Sequence, residues 1–360
     1  MAGLDKLLVK MVTSGASDLH LSSGEPVRMR INGDLKRVAD KALDPQRLRM
    51  LMREICTPTS WEYYRANNDL DFSYGITGVS RFRCNYFMHI HGPAAVFRRI
   101  PENIIPVEKL GLPKSVSGIP ELKRGLVLMT GPTGSGKSTT LAAIIDAINR
   151  TRSLHIITIE DPIEFVHKSN RSFVVQREIG HHAPSFSRAL FDALSQDPDV
   201  ILVGELRDTE TMQLAISAAE MGILVLGTLH TNSASKTIDR LVDSFPAAQR
   251  GQIRGMLADS LRAVVAQQLL RRIDKPGRIA AIEVLLDGPG LSNIIRDGNA
   301  SKLMSYIESG KGRGMQLLDE SLLQLVKKNV VSKEDAYLKA TDKHRFVKSL
   351  KAAGFDFEEM

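Results

Sequence analysis

Leu4, Leu7, Leu8, Met11 and Val12 recur at the spacing of one helical face, which predicts an opening amphipathic helix that stops near Gly15. Apolar and polar positions then alternate through 18–21, 27–31 and 35–38, the pattern of half-buried strands, and Asn32-Gly33 predicts a two-residue hairpin turn between the last two. A helix near 45–56 and strand-like runs at 70–74, 80–87 and 94–100 complete the expectation of a small mixed α/β domain over 1–100. Proline follows at 101, 106, 113 and 120, and because proline holds the chain extended and cannot join a sheet interior, 101–120 is expected to be a linker. The pattern then changes. Short apolar runs at 125–130, 154–159, 200–203 and 223–228 alternate with helical stretches such as 141–148, which predicts a parallel sheet covered by helices over 121–287. Beyond 288 the strands cease and Leu318, Leu322, Leu325 and Val326 keep helical spacing, so 288–360 is expected to be a helical region.

At the junction of the first of these strands with its helix stand Gly131, Pro132, Thr133, Gly134, Ser135, Gly136, Lys137, Ser138 and Thr139, which fit Gly-x4-Gly-Lys-Ser/Thr at every required place. Glycines let such a loop curl with its N–H groups inward at the positive end of the following helix, where phosphate oxygens are held. The lysine reaches the β and γ oxygens, and the Ser138 hydroxyl is suited to ligate Mg²⁺. The loop therefore predicts binding of a nucleoside triphosphate.

In a parallel sheet, catalytic groups gather at the carboxyl ends of the strands. The next strand runs into Glu160-Asp161-Pro162-Ile163-Glu164, and hydrolysis needs one carboxylate to orient or deprotonate water and another to hold Mg²⁺ or its waters. Glu160 is the favoured water-positioning residue and Glu164 the competing one. The strand 200–203 ends in Gly204-Glu205, so Glu205 alone must supply the acid of a Walker B arrangement, reaching the metal partly through water. Arg207 follows closely enough to pair with an acid or to stabilise phosphate charge. His230, at the end of the run 223–228, is placed to sense the γ-phosphate.

Composition narrows the class without naming a partner. The 360 residues are 43% hydrophobic and 25% charged, as in soluble globular chains, and the longest uncharged apolar stretch, 222–229, is far too short to span a bilayer. Charges at Asp5, Lys6 and Lys10 interrupt the N-terminus where a signal peptide would be apolar, so a cytoplasmic location is expected. Only Cys56 and Cys84 are present, which supports neither a disulfide framework nor a cysteine zinc site. The net charge of +7 could serve nucleic acid, but at 5% aromatic residues no stacking platform is evident; a nucleic-acid motor is the most distant alternative, and no nucleic-acid partner is expected.

Together these segments resemble the hexameric secretion-type ATPases, most closely the PilT-like motors of type IV pili. Residues 131–139 correspond to the Walker A box, 159–167 to the Asp box, 197–208 to Walker B and 227–232 to the His box. The likeness extends to Ser17-Asp18-Leu19-His20-Leu21, Arg81-Phe82-Arg83, 92–100, 236–240 and 314–316. It implies a PAS-like α+β N-terminal domain, a RecA-like ATPase domain, a C-terminal helical region, ATP and Mg²⁺ as cofactors, and a homo-hexamer that drives pilus retraction and twitching motility. It also implies that arginines act in trans on a neighbour's nucleotide, with Arg81, Arg83, Arg98 and Arg278 as candidates. Implied partners are an inner-membrane platform protein, which would make the ring peripheral to that membrane, and a paralogous retraction ATPase. The chain departs from the family pattern at Ser195, where an arginine is usual, and at Ile223, where a histidine is usual. These departures leave open an accessory ring subunit, PilU-like, with weak or partner-dependent hydrolysis.

Overall fold

The computed structural model describes residues 3–31, 33–100, 104–299 and 301–358. Two units divide the chain: Met1–Asn103 with Pro162–Val166, and Ile104–Asp161 with His167–Met360.

The first unit runs α1 (Gly3–Thr13), β1 (Asp18–Ser22), β2 (Pro26–Ile31), β3 (Asp34–Ala42), α2 (Pro45–Arg53), α3 (Pro58–Asn67), β4 (Asp69–Ile76), β5 (Ser80–His89) and β6 (Gly92–Ile100). Its strands form one antiparallel sheet in the order β3-β2-β1-β6-β5-β4. Ile31 pairs with Asp34 and Gly33 has φ +92°, the left-handed backbone a tight turn requires; Asn32 lies outside the described residues. Leu4, Leu8 and Met11 of α1 and Leu48, Leu51 and Met52 of α2 pack on Leu19, Met29, Phe82, Tyr86 and Phe97 from one face of the sheet. The single helix expected near 45–56 is two, because Thr57-Pro58 starts a new helix with the Thr57 side chain accepting from Ser60 N.

The opposite face carries charge in register. Arg30, Asp18, Arg98, Arg83 and Ser73 are successive cross-strand partners over β2, β1, β6, β5 and β4. Arg98 Nε donates to Asp18 Oδ1 at 2.8 Å and Arg30 Nε lies 3.8 Å from Asp18 Oδ2. Burial works to raise the Asp18 carboxyl, but hydrogen bonds from Arg98 and Ser17 outweigh it and hold the group below its usual range. Arg83 and Arg98 stand directly opposite each other, a like-charged pair that costs stability unless acids flank it, as Asp71 does at 3.6 Å from Arg83 and Asp18 from Arg98.

The second unit runs α4 (Lys114–Ser117), β7 (Gly125–Thr130), α5 (Lys137–Thr151), β8 (His155–Glu160), β9 (Phe173–Glu178), α6 (Phe186–Ala193), β10 (Val200–Val203), α7 (Thr209–Glu220), β11 (Leu224–Leu229), α8 (Ala234–Asp243), α9 (Ala247–Ser260), β12 (Leu261–Arg271) and β13 (Arg278–Leu286). Then come α10 (Leu291–Arg296), α11 (Lys302–Ser309), α12 (Leu318–Lys327), α13 (Lys333–Lys339) and α14 (Lys343–Ala352). Its seven-stranded sheet has the order β13-β12-β7-β11-β10-β8-β9, parallel except where β13 returns antiparallel to β12. Alternate residues of β7 enter different cores: Leu126 and Leu128 pack with α6, α7, α8 and α9, while Val127 and Met129 pack with α5. Burial on both faces is why such strands read as unbroken apolar runs.

Three strands go beyond the sequence expectation. β9 is an edge strand with Phe173 exposed and no clean alternation; β12 and β13 form a hairpin inside 121–287 beyond the four apolar runs named from the sequence. Residues 104–120 also differ from an extended linker. Val107 packs on Ala143 and Ala147 of α5, Val116 and Ile119 join the sheet core, and Pro106 and Pro113 sit at the starts of short helical turns, a position proline favours. Residues 101–103 lie outside the described residues.

Candidate nucleotide site

The loop from Thr130 to Lys137 departs from β7 at its carboxyl end and is shaped by glycines. Gly131, Gly134 and Gly136 have φ of +142°, +77° and +89°. A Cβ at Gly131 would stand 2.2 Å from the Gln267 carbonyl oxygen, and one at Gly136 2.8 Å from Gln267 Nε2. The close neighbour is β12, whose Ala266 pairs with Thr130. Gln267 is buried, takes a hydrogen bond from Thr140 Oγ1 at 2.9 Å and gives one to the Ser135 carbonyl at 2.7 Å, so its amide fixes both the loop and the first turn of α5. Sequence reasoning missed this residue; the available signal was Gln267-Gln268 inside an apolar run, since a buried amide must have partners. Gln267→Leu is expected to weaken ATP binding about tenfold, since it leaves the Ser135 carbonyl and Thr140 hydroxyl of the loop without their partner. Isothermal titration checks it, and unchanged affinity would remove Gln267 from the site.

Lys137 Nζ donates to the Gly131 and Pro132 carbonyls at 2.8 and 3.1 Å. The loop thus curls around its own ammonium group. The hydroxyls of Ser135 and Thr130 are buried without a hydrogen-bond partner among the described residues. The buried Ser135 hydroxyl, within a glycine-shaped loop that also holds the Lys137 ammonium, fits a polyphosphate site. Ser138 and Thr139, at the start of α5, are partly buried.

Three strand ends supply the remaining groups. Glu160 closes β8, and its Oε1 accepts from Thr158 Oγ1 at 2.7 Å and from Gln176 Nε2 at 3.3 Å. Gln176 of β9 also accepts from the His167 backbone N–H at 2.8 Å, tying the far end of the Asp box to Glu160. Burial pushes the His167 imidazole down to about 4, so it is neutral at pH 7. Glu205 follows β10; its Oε2 lies 2.8 Å from Arg207 Nε and its Oε1 3.1 Å from His230 Nε2. Arg207 Nη1 is 3.6 Å from Asp161 Oδ2. Glu205, Arg207, His230 and Asp161 are therefore one connected cluster at the edge that bears the phosphate loop.

Gly204, which stands where an acid is commonest, has a steric reason. Its N–H donates to the Ile159 carbonyl at 2.7 Å, and a Cβ there would meet that oxygen at 3.1 Å and Glu160 Cα at 3.3 Å.

The other sequence candidates fall elsewhere. Glu164 lies in the segment Pro162–Val166 that groups with the N-terminal unit. Arg81, Arg83 and Arg98 lie on β5 and β6 of that unit; Arg81 Nη2 donates to Ser73 Oγ at 2.6 Å. Arg278 opens β13 opposite Arg271, at the exposed tip of a hairpin that runs on past the end of β7.

A family model described as "Type II/IV secretion system protein" matches residues 2–351. The chain belongs to the type II/IV secretion system protein family. Its relatives within this family include PilT and PilU. The type IV pilus retraction ATPase PilT of Pseudomonas aeruginosa is 46% identical over 337 residues, 94% of this chain and 98% of its own. The type IV pilus ATPase PilU of the same organism is 40% identical over 332 residues, 92% of this chain and 87% of its own. A crystal structure of the pilus retraction motor PilT with bound ADP superposes with a TM-score of 0.90 at 41% identity, covering 97% of this chain and 99% of that one.

Both departures from the family pattern lie away from the cluster. Ser195 follows α6 and precedes β10, and Ile223 directly precedes β11, so both are at the amino edge of the sheet. The carboxylates are at the other edge, about 13 Å away along a four-residue strand. Neither departure removes a group from the chain's own phosphate edge.

Proposed function

We propose that the chain is an ATP-hydrolysing motor that powers pilus retraction. The observation that carries the reading is Glu205 held between Arg207 and His230 at the edge bearing a complete phosphate loop. Backbone N–H groups of 133–139 hold the β and γ phosphates, and Lys137 leaves its own loop carbonyls to reach them. Glu160, steadied by Thr158 and Gln176, orients the attacking water and takes its proton. Glu164 is the competing residue for that step. Ser138 and Glu205 are the residues that would hold Mg²⁺, which would supply charge neutralisation at the phosphate oxygens. His230 senses the γ-phosphate, and because it shares Glu205 with Arg207, and Arg207 in turn reaches Asp161, nucleotide state is felt across three strand ends.

In this reading six copies form a ring, the PAS-like N-terminal unit of one subunit closes over a neighbour's nucleotide, and Arg81, Arg83 and Arg98, with Arg278, are the candidates to act there in trans. Closure under ATP and opening after hydrolysis move rigid units, which is how a chemical step becomes work. The ring acts at the cytoplasmic face of the inner membrane through a platform protein, with a paralogous ATPase as a further partner. Among the described residues no helix is long and apolar enough to cross a membrane. The intact cluster and the placement of Ser195 and Ile223 support a motor over a weakly hydrolysing accessory subunit.

The purified chain alone is expected to hydrolyse ATP with Mg²⁺, to stop when EDTA is added, and to sediment as a hexamer. A stable monomer without turnover under any nucleotide or salt condition would remove the motor reading.

A further inference from the structure

Between α2, α3 and β5 of the N-terminal unit lies an open cavity of about 540 Å³, within the range of small-ligand sites. Its lining contains Arg49, Arg53 and Arg65 and no acidic residue. All three arginines are exposed, and among the described residues none of their guanidinium groups has a hydrogen bond or an ion pair. Among the described residues fourteen other lysines and arginines pair with carboxylates, whereas these three guanidinium groups converge on one concave wall that offers them no acid.

The rest of the wall specifies what accompanies the anion. Trp61 contributes a flat ring backed by Tyr64, with centroids 5.4 Å apart, and Tyr64 is itself locked on the core. Asn68, which ends α3 in the left-handed conformation at φ 59°, and Gln46 bring two amides, each able to donate and accept. Met50 and Met88 leave adaptable apolar surface at 55% and 39% exposure.

We propose that this cavity binds a nucleoside phosphate, a second nucleotide site separate from the phosphate loop. A phosphate or diphosphate concentrates two or three negative charges in a few ångströms, which matches guanidinium recognition better than carboxylates spaced along a peptide. The nucleobase stacks on Trp61 and its edge meets the Asn68 and Gln46 amides. Stacking and charge, with amides that can both donate and accept, make the site tolerant of the base.

Trp61 is the only tryptophan in the chain, so its emission reads this cavity. The full chain is titrated with ADP, GDP, CDP and UDP, and separately with inorganic pyrophosphate and with adenosine. Each diphosphate is expected to quench Trp61 saturably with a dissociation constant below about 1 mM. Arg49→Gln/Arg53→Gln keeps helix propensity and surface polarity and should weaken that response at least about tenfold, with ADP binding at the phosphate loop, followed by displacement of a fluorescent ATP analogue, unchanged. A response to pyrophosphate equal to that of the nucleotides overturns the nucleobase part and leaves a phosphate site. No saturable response to any diphosphate, or an identical response in the double variant, overturns the proposal.

Discussion

Glu205→Gln is expected to reduce ATP turnover by about 10²–10⁴-fold while ATP still binds with near wild-type affinity. The carboxylate carries two contacts at once, Arg207 Nε on one oxygen and His230 Nε2 on the other, and glutamine can accept at only one of these positions. It also loses the negative charge that a divalent ion requires. Binding is largely spared because the cradle is formed by loop backbone and Lys137, on a different strand. Lys137→Ala is the contrasting control, since it removes the cation from the loop itself and should fail at the binding step. Measuring kcat together with equilibrium affinity for a non-hydrolysable analogue separates the two. A Glu205→Gln protein with full turnover would move the acid function to another carboxylate, with Glu160 the first to test.

Gly131→Ala is expected to be more damaging than the removal of any one catalytic side chain, because it disturbs the backbone. The new methyl would lie 2.2 Å from the Gln267 carbonyl oxygen and 2.7 Å from Ser135 Oγ, at a φ of +142° that L-residues rarely adopt. Neither β12 nor the loop can give way without breaking the pairing of Ala266 with Thr130. The cost is about 3 kcal/mol, the upper end for overpacking, and nucleotide binding should be lost along with several degrees of Tm. Thermal unfolding with and without ADP reads both effects. Gly134→Ala is the informative comparison. An added methyl there meets nothing within 4 Å, so its penalty comes from φ alone and should be much smaller. Equal damage from the two substitutions would show that the contact with β12 does not matter.

Where the sequence was transparent, the physical reason is local. The phosphate loop is a contiguous motif, and the strands at 125–130, 200–203 and 223–228 are buried on both faces and so appear as pure apolar runs. The two acids were found because Glu160 directly follows the run 154–159 and Glu205 stands one residue beyond the run 200–203. What was opaque depended on partners distant in sequence. Gln267 matters because β12 lies beside β7, a neighbour relation between residues more than a hundred positions apart. β9 was hidden because an edge strand with mixed burial has no sharp period. The segment 104–120 looked extended because of its prolines, yet proline also begins helical turns, and only packing on α5 decides between the two. Ser195 and Ile223 stood out in a linear comparison as lost catalytic groups, and only the direction of the strands shows that they sit at the far edge.

Gly204 sets how the two acids can move. With its N–H bonded to the Ile159 carbonyl and no side chain to hold the strands apart, the ends of β8 and β10 are joined at van der Waals contact immediately beside Glu160 and Glu205. The pair behaves as a single ledge. In the proposed mechanism a displacement that carries one acid toward the γ-phosphate would carry the other, so water activation and charge stabilisation would arrive together.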